Sequence, residues 1–382
     1  MRPGLRFNQT ESDAQSAPRK EGPGEIVSPF SSQGPGKDPY EWVQWAFIGE
    51  DGLRAGWAVV LFYALFRAFS LALGSIALAF YPQLASSNFS APTAIAGQSL
   101  GLAAVAGAAI LVARLKGRSI LDYYLRDRHW VWRFWSGVLA GFLALSALMG
   151  ALRAGNWVEL SRTTLSMQHL ALYAVLWAIV FLLTGFLEEG AFRCFLLNTL
   201  ERGINFWWAF AVVSAACMKL LLTEPSSGAW GVYLMALLGL VPCIILHHLR
   251  SENAGFWQAT WVTSTLFGLW HTGNHGENPI GIFAAAAIGL VFCVSVRLTG
   301  SAWWAIGCHM AWDWAETFFY GTPDSGLTAN GHFFTAQPIG NPVLSGGTVG
   351  PEGSIIALVV IQLLLVAILL LYRRRPKLRA AT

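Results

Sequence analysis

The 382-residue sequence is poor in charge, with Asp, Glu, Lys and Arg making up 12% of it, where a soluble globular chain carries about 25%. Its 25 basic and 21 acidic side chains could not cover a water-facing surface around a chain that is 55% hydrophobic and holds 18 Trp and 24 Phe. It also lacks a cysteine pattern. Cys194, Cys217, Cys243, Cys293 and Cys308 are odd in number, scattered and without CxxC spacing, which argues against a disulfide framework or a cysteine zinc cluster. No basic start followed by an apolar stretch and a small-residue cleavage site opens the chain. Residues 1–50, rich in Pro, Gly, Ser and mixed charge, are therefore expected to form a disordered cytoplasmic tail. There is no visible internal repeat and no HExxH. No Ser or Cys nucleophile stands beside a recognisable base, Ser264 and Cys308 being the nearest candidates.

What the sequence has instead is apolar runs, at about 55–80, 95–113, 134–152, 168–187, 207–222, 229–247, 256–271, 280–297, 302–320 and 355–372. A membrane span needs about 20 such residues, so the predicted fold class is all-α, a polytopic transmembrane bundle of about 8–10 helices. The run at 207–222 is short and contains Lys219, and 256–271 is interrupted by Gln258 and threonines. Basic residues gather between Arg114 and Arg133 and in the tail from Arg373 to Arg379. Such clusters beside spans mark the cytoplasmic side more often than nucleic-acid binding, and no nucleic-acid partner is expected. Both termini are then cytoplasmic, and the crossings even in number. The predicted division is a tail at 1–50, N-terminal spans at 51–165, a core at 166–320, an extracytoplasmic loop at 321–354, and a last span with a basic tail at 355–382.

An ionised side chain near the bilayer centre costs on the order of 2.5–3.5 kcal/mol even on lenient insertion scales, so charges inside these runs call for a reason. Glu188, Glu189 and Arg193 follow one apolar run and precede another. Glu189 and Arg193, four apart, share a helix face and can pair. Glu188 lies about 100° round the helix, without an obvious local partner, and is a candidate general base. The alternative is that the triplet marks a helix end in interfacial water. Phe267 and His271 close another run, and the Gly/Asn-rich loop beyond holds His275 and Glu277, of unassigned role. His271 alone also fits a purely structural residue. His309 and Asp313 share one face of a third run, with Glu316 one turn further on. Facing lipid these three would be costly, so they should face the bundle interior or a watery cavity.

Taken in order, Glu-Glu-x-x-x-Arg, Phe-x-x-x-His and His-x-x-x-Asp on membrane helices resemble the CPBP family of intramembrane endopeptidases, which includes CAAX prenyl proteases and the bacteriocin-processing or immunity proteins also called Abi. The likeness covers about residues 168–320. It implies that Glu188 is the catalytic carboxylate, that Glu189 and Arg193 support the site, and that His271 shares the activation of water. It further implies that His309 and Asp313 stabilise the oxyanion, and that Phe267 belongs to the second motif. The 73 residues between Arg193 and Phe267 exceed the family's usual connection, so an extra hairpin is expected around 207–249. Asp313 is awkward as an oxyanion donor and must be protonated or act through a water or His309.

The expected activity is hydrolysis of a peptide bond in a membrane-associated protein or peptide, including one near a lipidated C-terminus, by water that Glu188 and His271 activate. No cofactor is expected; the alternative is a zinc ion on Glu188, His271 and His309. The alternative functions are a proton-coupled carrier and a catalytically silent scaffold or immunity protein. The expected location is a bacterial inner membrane. Counting crossings puts Glu188 and His271 on opposite sides, whereas catalysis needs Glu188 within direct or one-water reach of His271. One long helix over 168–200, with 207–222 or 256–271 not fully crossing, would reconcile the two.

Overall fold

The computed structural model describes residues 39–49, 52–82, 90–204, 206–223, 254–274, 276–324 and 328–372, with isolated residues between 241 and 248. The chain divides into two units, 1–50 and 51–382. Of the first, taken above as an unstructured tail, a helix α1 (Pro39–Phe47) is described, while 1–38 lie outside the described residues.

The second unit is a helix bundle. Its main helices are α2 (Ala55–Phe80), α3 (Ala91–Leu115), α4 (Trp130–Ala154), α5 (Met167–Glu201), α6 (Phe206–Thr223), α7 (Ala254–Trp270), α8 (Pro279–Thr299), α9 (Trp303–Trp314) and α10 (Ile355–Tyr372). Local chemistry sets several ends. Ser90 and Thr93 form a reciprocal cap on α3, with their hydroxyls 2.8 Å apart. Asn278 accepts from the N–H groups of Ile280 and Gly281 at 2.9 Å each, ahead of Pro279 in the first turn of α8. Gly300 closes α8 in the left-handed region at φ 69°.

Among the described residues six helices are long and apolar enough to cross a membrane: α2, α3, α4, α5, α8 and α10. Helix α7 has 17 residues, and α9 has 12 before it continues into a π-helical stretch at Ala315–Tyr320. Both belong to the bundle, but neither is among the helices long and apolar enough to span: α7 is too short, and α9 with its π-helical stretch carries His309, Asp313 and Glu316. The run predicted at 229–247, and with it most of the expected hairpin, lies outside the described residues.

Two features place the site. Helix α5 is continuous for 35 residues and changes from α to π geometry at Gly190–Leu196. Glu188 therefore stands about 20 Å of helix from its C-terminal end, rather than at the end of a helix. The second feature is the crossing of α4 and α9. A Cβ on Gly141 would run into the Cys308 carbonyl, and one on Gly307 into the Phe134 carbonyl, so the two backbones touch. This crossing fixes the depth of His309, the residue after Cys308.

The segment 321–354 is more than a connection. Strand β1 (Val158–Arg162) pairs antiparallel with β2 (Phe334–Pro338), Val158 opposite Pro338 and Arg162 opposite Phe334. The Trp177 indole N–H donates to the Asn330 carbonyl at 3.1 Å, tying the segment to α5 as well.

Candidate active site

The Glu189 and Arg193 side chains pair at 3.1 Å, both fully buried, as their helical spacing predicts. The guanidinium lies 4.2 Å from the Phe267 ring centre and 5.2 Å from that of Phe292, so aromatic faces supply part of what lost hydration would. Gly289 on α8 makes the room, since a Cβ there would stand 2.6 Å from the guanidinium Nη2.

Glu189 has a second partner that the sequence did not reveal. His309 Nδ1 lies 2.9 Å from Glu189 Oε1. A carboxylate only accepts, so Nδ1–H is the donor, and Nε2 turns the other way. There it meets Asp313 Oδ2 at 3.4 Å and Glu188 Oε2 at 3.9 Å, the latter an ion-pair distance but not a hydrogen bond. Among the described residues Glu188 Oε2 has no hydrogen-bond partner.

His271 stands just past α7, where its Nδ1 is 2.7 Å from the Phe267 carbonyl. A carbonyl accepts, so Nδ1 carries the proton and Nε2 is left to accept one. The Phe267 ring also lies edge-on to His271 at 4.8 Å and to His309 at 6.0 Å between centres. One aromatic side chain thus packs against Arg193, His271 and His309.

Glu188, His271, His309 and Asp313 all line one cavity of about 210 Å³. Its apolar wall includes Phe181, Ala284, Ile288 and Ile361. The opposite-sides topology from simple counting is thereby corrected: α5 runs on past Glu188 to Glu201, and α7 ends at the cavity.

Sequence reading missed Asp324 and Glu352, which reach the same cavity from the 321–354 segment. The Trp312 indole N–H donates to Glu352 Oε1 at 2.7 Å, and the Thr317 hydroxyl to Asp324 Oδ2 at 2.9 Å. Burial, then the charges of Asp324 and Glu277, pushes the Glu352 carboxyl up to about 8. Burial likewise pushes Glu277, in the loop before α8, up to about 7. A signal was available: from Leu298 to Tyr372 the sequence has Asp313, Glu316, Asp324 and Glu352 but no Lys or Arg. His275 lies outside the described residues. As for a metal, no group of three or more His, Cys, Asp or Glu among the described residues is arranged to hold one.

Residues 243–315 match the family described as Rce1-like, type II CAAX prenyl endopeptidase. The match is consistent with a CPBP family protein. That family is one of proteases, which supports a peptidase at this level, working on a membrane-associated protein within a bilayer. With six apolar helices it also supports an integral membrane protein. No curated protein and no solved structure matches the chain. The Rce1-like stretch contains Phe267, His271, His309 and Asp313, while Glu188, Glu189 and Arg193 precede it. Packing of α5 against α9 brings the two parts together.

Proposed function

We propose that this protein is an intramembrane endopeptidase that hydrolyses a peptide bond of a membrane-associated protein through water activated by Glu188 and His271. The observation that carries the reading is the convergence of Glu188, His271, His309 and Asp313 on one cavity from three separate stretches of chain. Glu188 offers an oxygen with no hydrogen-bond partner among the described residues, and His271 an imidazole whose Nδ1 is tied back to its own helix. Either can take a proton from a water held between them. His309, with Nδ1–H committed to Glu189, presents Nε2 toward Glu188 and Asp313. A proton on Nε2 is then available to a developing oxyanion, and Asp313 acts through His309 instead of donating itself. Glu189, Arg193 and Phe267 hold the imidazole and the carboxylate in register.

The reaction is proposed to need no metal. The substrate class includes proteins with a lipidated C-terminus, for which the apolar wall offers a surface. The membrane is taken to be a bacterial inner membrane, with both chain ends on its cytoplasmic side.

The test compares membrane-protein termini in cells carrying the wild type and Glu188→Gln, followed by cleavage of the identified substrate by purified protein. New termini that require Glu188 are expected. Cleavage by purified Glu188→Gln at the wild-type rate would overturn the mechanism.

A further inference from the structure

Helix α3 carries a single side-chain amide. Between Thr93 and Arg114 every residue is apolar or small except Gln98 and its neighbour Ser99, and Gln98 is the one that reaches the cavity wall. Its depth follows from how α3 packs. Ala94 and Ile95 join the cluster of Trp177, Val180 and Phe181 on α5, and a Cβ on Gly101 would run into the Leu187 side chain. The two helices therefore run side by side in the same direction, and Gln98 falls level with Thr184, one helical turn or about 6 Å from Glu188.

Other polar groups on that wall are tied within the protein. The Thr184 hydroxyl donates to the Val180 carbonyl at 3.1 Å, the Trp312 indole N–H to Glu352 and the Thr317 hydroxyl to Asp324. Among the described residues nothing hydrogen-bonds the Gln98 carboxamide. An amide in an apolar wall is costly until a donor and an acceptor answer it, and a peptide chain brings both. To be hydrolysed, a membrane-spanning substrate has to unwind at the scissile bond, where its N–H and C=O groups lose their helical partners. Ionised carboxylates on the wall can only accept. A carboxamide offers an oxygen and an NH2 side by side, which matches the N–H and C=O of one extended residue.

We infer that Gln98 binds the main chain of the substrate beside the scissile bond, its oxygen accepting from a backbone N–H and its NH2 donating to the carbonyl of the same residue. The inference rests on the peptidase reading and deepens it by naming what the site recognises. At about 3.4 Å per extended residue, one helical turn of depth puts that residue about two positions from the bond that Glu188 and His271 attack.

The experiment uses full-length protein in nanodiscs. The probes are lysine-flanked Leu/Ala peptides that span the bilayer around a central Gly-Gly step, each with one backbone amide replaced by an ester. An ester removes one N–H and weakens the neighbouring carbonyl as an acceptor, while every side chain stays the same. Binding is measured on Glu188→Ala, with and without Gln98→Met, which keeps the length of the side chain and removes its amide. With Gln98 in place, the ester at one register should weaken binding about tenfold relative to the all-amide peptide, as one hydrogen bond left unmade in a dry site does. With Gln98→Met the same ester should cost less than about twofold, and Gln98→Asn should restore part of the difference. Where Glu188 is kept, Gln98→Met should raise KM for the all-amide peptide about tenfold, with kcat and melting temperature nearly unchanged. An ester scan that reads the same with and without Gln98→Met overturns the inference, and so does a lowered melting temperature with no preferred register. Register-specific coupling in binding, with every bound peptide left uncut by the protein that keeps Glu188, overturns the peptidase reading and leaves Gln98 as a main-chain binding residue.

Discussion

Nδ1 of His309 lies 2.9 Å from Oε1 of Glu189, the same oxygen that holds the Arg193 guanidinium at 3.1 Å. One buried carboxylate therefore fixes a cation on its own helix and an imidazole on another. Losing it strands both, and breaking a buried pair costs about 3–5 kcal/mol. Glu189→Gln should lower the melting temperature in detergent and the yield of folded protein, whereas Glu188→Gln should leave both near wild type. Equal melting of the two variants would show that Glu189 does not hold the bundle.

His271 is tied by Nδ1 to the Phe267 carbonyl of its own helix turn, so its removal should spare the fold. His271→Ala should reduce kcat by about 10²–10⁴, the range for loss of a general acid or base, with little change in melting temperature. Undiminished turnover would remove His271 from the activation of water.

The crossing of α4 and α9 leaves no space for a side chain at Gly141, where the obstacle is the Cys308 backbone. Overpacking of this kind costs about 1–3 kcal/mol or more, because a carbonyl cannot swing aside as a side-chain tip can. Gly141→Leu should melt well below the wild type. Gly150→Leu, on the same helix with nothing within 4 Å of an added Cβ among the described residues, serves as the control and should not. Matching melting curves for the pair would mean that the crossing is looser than described.

Burial first, then Asp324 and Glu277, pushes the Glu352 carboxyl up to about 8 in the folded protein, against about 4.3 for an unfolded chain. Between those values the folded state keeps a proton that the unfolded state has released. The folded state thus binds more protons, and this group's contribution to stability falls as pH rises from about 4 to 8. Glu352→Gln removes the titration and keeps an oxygen for the Trp312 N–H. The melting temperature of the variant minus that of the wild type should climb steadily from pH 5 to pH 8. A difference that stays flat would place the Glu352 titration outside this range.

A mechanism in which Glu188 and His271 handle the proton themselves predicts that cleavage survives prolonged treatment with a strong chelator. Elemental analysis should find no stoichiometric zinc. Activity that disappears with the chelator and returns only with added zinc would turn Glu188, His271 and His309 from proton carriers into ligands.

The sequence alone determined what is local or compositional. Scarce charge and long apolar runs imply a membrane bundle, because lipid-exposed backbone has to satisfy its own hydrogen bonds. The pairing of Glu189 with Arg193, and the common face of His309 and Asp313, follow from the helical repeat over four residues. Only the tertiary structure decided what those faces meet. Glu189 reaches His309 across 120 residues because glycines on α4 and α9 let two backbones touch and set the depth of α9. Glu188 is held inside the bundle because α5 continues through a π-helical stretch past the point where hydropathy suggested an end. Asp324 and Glu352 sit in a Gly/Pro-rich segment without periodicity, so no repeat in the sequence could aim them. The β1–β2 pairing and the Trp312 indole, both long-range contacts, bring that segment to the cavity.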